Sequence, residues 1–80
     1  MKPELILESL KFIKGSQGNN LVVENSNHAA PLAKVLFESK ALYDLLHDKS
    51  VTLDEVVKQI SKKNSAAKEY RRITGNVWPL

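Results

Sequence analysis

The chain has 80 residues, no cysteine, and twelve Lys and Arg against nine Asp and Glu, for a net charge of +3. Hydrophobic residues are 42% and charged residues 26%, too apolar for a disordered chain and suited to one small folded domain over 1–80. Without cysteine there is no disulfide, no thiolate metal site and no thiol nucleophile, and no apolar run approaches the ~18 residues of a membrane-spanning helix.

Residues 3–14 read as a first helix. Pro3 suits the first helical position, Glu4 complements the dipole, and Gly15 is a natural stop. Ile6, Leu10 and Ile13 form an i, i+4, i+7 stripe. A hairpin joining 10–14 to 21–24 through the Gly15–Asn20 loop competes with it, and the preferred reading keeps a short irregular or extended segment near 20–24. A long helix follows over about 29–47, with Pro31 in its first turn and a broad stripe of Leu32, Val35, Leu36, Leu42, Leu45 and Leu46.

Thr52-Leu53-Asp54-Glu55 has the pattern of a capping box, with Val51 and Val56 placed as a hydrophobic staple. A third helix over 53–60 is expected to turn Leu53, Val56, Val57 and Ile60 inward. Ser61-Lys62-Lys63-Asn64 then reads as a break, and Ser65 as the cap of a fourth helix over 66–74 that stops at Gly75. The fold expected is a mainly α, small four-helix domain with an apolar tail at 76–80.

The charge is uneven. Residues 49–80 carry seven basic side chains (Lys49, Lys58, Lys62, Lys63, Lys68, Arg71, Arg72) against three acidic ones (Asp54, Glu55, Glu69), an excess of +4. A local basic field attracts polyanions. The competing account is a solvated lysine-rich face that serves solubility.

No catalytic constellation stands out. The only histidines are His28 and His47. Asp44, His47 and Asp48 share a helix face, yet an exposed helix end explains them as well as a metal does, since metal sites need three or four ordered ligands. The loop Gly15-Ser16-Gln17-Gly18-Asn19-Asn20 lacks the Gly-Lys-Ser/Thr ending of a phosphate-binding loop and the third glycine of a dinucleotide fingerprint. The expectation is no enzyme, no cofactor and no metal.

Leu42-Tyr43-Asp44-Leu45-Leu46, then Thr52-Leu53-Asp54-Glu55, a turn, and Ser65 to Ile73 resembles the tri-helical helix-turn-helix group over 42–74. It departs from that group in its turn, which has neither glycine nor a following apolar residue. The resemblance implies that the last helix enters the major groove, presenting Ser65, Lys68, Arg71 and Arg72, while Lys62 and Lys63 meet phosphates from the turn. Lys58 joins this basic surface from the preceding helix. The function expected is therefore a small cytoplasmic regulator that binds nucleic acid, DNA in preference to RNA, as a homodimer. The alternative is a protein-interaction module, such as an inhibitor, immunity-type or adaptor protein, that uses the N-terminal helix or the tail. In that tail Trp78 and Leu80 either fold back over a small core or anchor a partner.

Overall fold

The structure is a computed structural model and describes residues 3–15 and 26–80. Among them it is mainly helical: α1 spans Pro3–Ile13, α2 Ala29–Leu46 and α3 Leu53–Thr74, with a short 3₁₀ turn at Ser26–His28 leading into α2. The expected extended segment near 20–24 lies outside the described residues.

α3 begins where its capping sequence says it should. The Glu55 amide donates to Thr52 Oγ1 at 3.3 Å, and the Glu55 carboxylate accepts from the Thr52 amide at 3.3 Å. Two of the helix's orphan donors are thereby satisfied. Thr52→Ala should cost about 1 kcal/mol and lower Tm by about 4–8 °C, as read by thermal circular dichroism.

The expected break at 61–64 is absent, and the four-helix count becomes three because α3 runs through that segment for 22 residues. Ser61, Lys62, Lys63 and Asn64 include no proline or glycine, and the lysines are good helix formers. What sustains the helix is its inner face. Gln59, Ala66 and Tyr70 are buried, Val56, Lys63 and Ala67 are half-buried, and together they follow the 3.6-residue period. Gln59 Nε2 donates to the Glu38 carbonyl of α2 at 2.9 Å, so a polar residue sits in the packed stripe with its amide satisfied.

This register overturns a second expectation. Leu53, Val57 and Ile60 do not face the core; they are 78%, 56% and 40% exposed. Ile73, near the end of α3, is exposed as well.

The core is built from Ile13 of α1, Leu32, Val35 and Leu36 of α2, Ala66 and Tyr70 of α3, and Trp78. Small hydroxyl residues fill its tightest places. Ser9 is fully buried and donates to the Leu5 carbonyl at 2.7 Å. α1 leans on α2 through an edge-to-face pair, Phe12 and Phe37, with ring centroids 5.6 Å apart. α3 ends at Gly75, whose φ of 76° is a left-handed conformation favouring glycine, and whose amide donates to the Arg71 carbonyl at 2.9 Å. The reversal returns Trp78 to the core. Its indole Nε1 donates to Ser39 Oγ at 3.1 Å, and its ring stands edge-on to Tyr70 at 5.5 Å. Burial pushes the Tyr70 phenol above its ordinary range.

Candidate nucleic-acid interface

α2 and α3 form a helical hairpin. Gln59 reaches Glu38, and a shallow surface groove of about 220 Å³ brings Lys34 and Glu38 of α2 beside Ser61, Lys62 and Ser65 of α3. This geometry replaces the helix-turn-helix expectation over 42–74. The chain between α2 and α3 spans 47–52, and the two helices lie side by side instead of presenting a short separate recognition helix.

At ~100° per residue, the basic residues of α3 sort into three groups. Lys58, Lys62, Ser65, Lys68 and Arg72 are exposed and share the outer face. Arg71 is exposed but displaced to one side. Lys63 points the other way: it falls in the inner stripe between Gln59 and Ala66 and is half-buried, its stem lying along the packed face. The sequence placed Lys62 and Lys63 together in a turn, but a continuous helix separates them by a quarter of its circumference.

The charges on the outer face are not equivalent. Arg72 binds Glu69 through two hydrogen bonds, Nε to Oε2 at 3.0 Å and Nη2 to Oε1. The hydrogen bond from Arg72, together with the fields of Arg72 and Lys34, holds the Glu69 carboxyl below the usual carboxylate range. The same contact raises Arg72. Lys58, Lys62 and Lys68 make no ion pair with any described residue. The cationic surface is therefore a lysine ridge with Arg72 largely offset by Glu69 and Arg71 displaced to one side.

Lys34 is the residue sequence reasoning missed. It is exposed on α2 and joins Lys62 across the groove. A signal was present: a hairpin folded about the middle of 47–52 sets 34 opposite 65 and 38 opposite 61. That register could be used only with α3 taken as continuous.

Trp78 is 7% exposed, and Leu80 is half-buried against the same cluster. The tail thus takes the fold-back arrangement, and the indole is not displayed for a partner. On α1, Ile13 is buried and Ile6 and Leu10 are half-buried.

The arrangement offers little for acid–base or metal chemistry. The His47 ring donates through Nδ1 to the Tyr43 carbonyl at 2.8 Å. Asp48 accepts from the Ser50 amide at 2.9 Å and from its hydroxyl at 2.8 Å, contacts that hold its carboxyl below the usual range. Among the described residues, no three His, Asp or Glu side chains converge as metal ligands. No helix among them is long and apolar enough to cross a membrane. Comparison with protein-family models, with curated proteins and with solved structures finds no match to this chain.

Proposed function

We propose that this protein is a small, single-domain, non-catalytic regulator of the cytoplasm that binds nucleic acid through the outer face of α3. The observation that carries the reading is the run of Lys58, Lys62 and Lys68 along one exposed face of one helix, ion-paired to no carboxylate among the described residues, with Lys34 beside Lys62 in the groove that Glu38 also lines. Lysine ammonium groups act as mobile point charges, so the contacts suit phosphates and carry little base information. Ser61 and Ser65, exposed between the lysines, add hydroxyl donors of the kind that bond phosphate oxygens. Binding is accordingly expected to be electrostatic and weakly selective for sequence.

The test is binding of the full chain to random duplex DNA at two salt concentrations. With four lysines neutralising phosphates, affinity should fall by about a hundredfold between about 50 and about 200 mM salt. Absence of binding at the lower salt, or affinity that barely changes between the two, would rule the reading out. A single-stranded RNA of matched length tests the expected preference for DNA.

A further inference from the structure

Three of the exposed apolar residues of α3, Leu53, Val57 and Ile60, lie in one line, while Ile73 lies off it. Leu53, Val57, Ile60, Asn64, Ala67 and Arg71 follow one another at spacings of four and three residues, a heptad seam almost three repeats long. Ala67 is half-buried; the other five are exposed. The seam lies about a quarter-turn from the face packed on α2; Leu53, Val57 and Ile60 make its exposed apolar half, Asn64 and Arg71 are polar, and Ala67 at its edge also packs against the core cluster. A monomer gains nothing from exposing Leu53, Val57 and Ile60 in one line.

We infer that this seam pairs with the same seam of a second copy, the two α3 helices running antiparallel. Charge complementarity selects that occupant and that direction. Asp54 flanks the seam at the start of α3, and Lys68 and Arg71 lie beside or in it at the end, whereas Glu55 is turned away into the capping box and Arg72 is bound to Glu69. In an antiparallel pair, the acidic start of each helix lies against the basic end of the other, and the helix dipoles are also opposed favourably. A parallel pair would set like charges together at both ends.

The register is self-consistent. Pairing about residue 62 sets Leu53 against the partner's Arg71, Val57 against the partner's Ala67 and Ile60 against the partner's Asn64. All three satisfy one two-fold axis, as an isologous interface requires. Asp54, Ser61 and Lys68 recur at sevens along one flank of the seam, so Asp54 comes within reach of the partner's Lys68 at the solvent edge, where phosphate competes for the same ammonium group. The two-fold axis also puts the α2-covered sides of both α3 helices on one side of the dimer. Both lysine ridges then face the other way. This pairing needs no nucleic acid, so it is tested separately from the proposed binding.

Sedimentation of the full chain without nucleic acid should show a concentration-dependent dimer. Val57→Asp should weaken it by at least about a hundredfold, because each substitution acts twice in an isologous interface. Val57 is exposed, and an unchanged helical spectrum confirms that the variant folds. Direction is read by cross-linking, since the chain has no cysteine of its own. Leu53→Cys and Arg71→Cys chains should form a disulfide when mixed. Neither should do so alone, because the antiparallel register holds each pair of identical positions about 27 Å apart. A monomer at all concentrations, a Val57→Asp dimer as tight as the original, or self-linking of Leu53→Cys would overturn the inference.

Discussion

Replacing Trp78 by alanine is expected to remove a large share of the chain's folding free energy and to lower its unfolding midpoint in urea accordingly. Removing a buried indole costs about 3–5 kcal/mol, whereas an 80-residue protein has only about 4–12 kcal/mol in total. The loss has three parts: apolar area returned to water, the edge-to-face contact with Tyr70, and the hydrogen bond to Ser39. Trp78→Phe separates them. Phenylalanine can keep most of the packing but leaves Ser39 Oγ without its donor, so its expected cost is about 1–2 kcal/mol. Urea titration followed by circular dichroism reads both variants. If Trp78→Ala were as stable as the original chain, the indole would have to be free to leave the core at no cost.

The second large effect is expected at the lysine ridge. Lys58→Glu, Lys62→Glu and Lys68→Glu combined should lower affinity for duplex DNA by more than about a hundredfold at low salt, because three phosphate contacts become three repulsions. Stability should change little, since all three side chains are exposed and none is ion-paired to a described residue. Glu69→Gln should act in the opposite direction. It releases Arg72 from its carboxylate and adds a cation to the same face, so DNA binding should tighten and its salt dependence steepen. Filter binding or fluorescence anisotropy with a labelled duplex measures both. A triple variant that bound like the original would remove α3 from the interface.

Where the sequence was legible, short-range chemistry decided the outcome. The start of α3 was readable because Thr52 and Glu55 satisfy each other's backbone within three residues. Its stop was readable because Gly75 takes a conformation that glycine favours. Leu32, Val35 and Leu36 of α2 were readable as core because their period is unambiguous. Inside α3 the same period misled. Leu53, Val57 and Ile60 compose the more hydrophobic stripe, yet the structure buries the face carrying Gln59, Ala66 and Tyr70. Hydropathy alone cannot rank a satisfied glutamine above three exposed aliphatics; the carbonyl of Glu38, distant in sequence, makes the difference.

The candidate site was legible to the same degree. Lys58, Lys62, Ser65, Lys68 and Arg72 share a face because their spacing is a helical property. Lys63 falls on the inner side because the Ser61–Asn64 cluster lies within a continuous helix, and a polar cluster on a solvated helix face has the same composition as a turn. The offset of Arg72 by Glu69 is an i, i+3 contact and could have been anticipated. Lys34 could not, without the register of the α2–α3 hairpin.

The chain has one tryptophan, and it is the residue that closes the core. Its ring is shielded from solvent and its N–H is engaged, while none of the lysines proposed to meet phosphate is part of its cluster. The molecule therefore carries an internal optical gauge. Intrinsic emission at the blue end of the indole range marks the packed state, a red shift marks release of the tail, and energy transfer from Tyr70, 5.5 Å away, should weaken as the two rings separate.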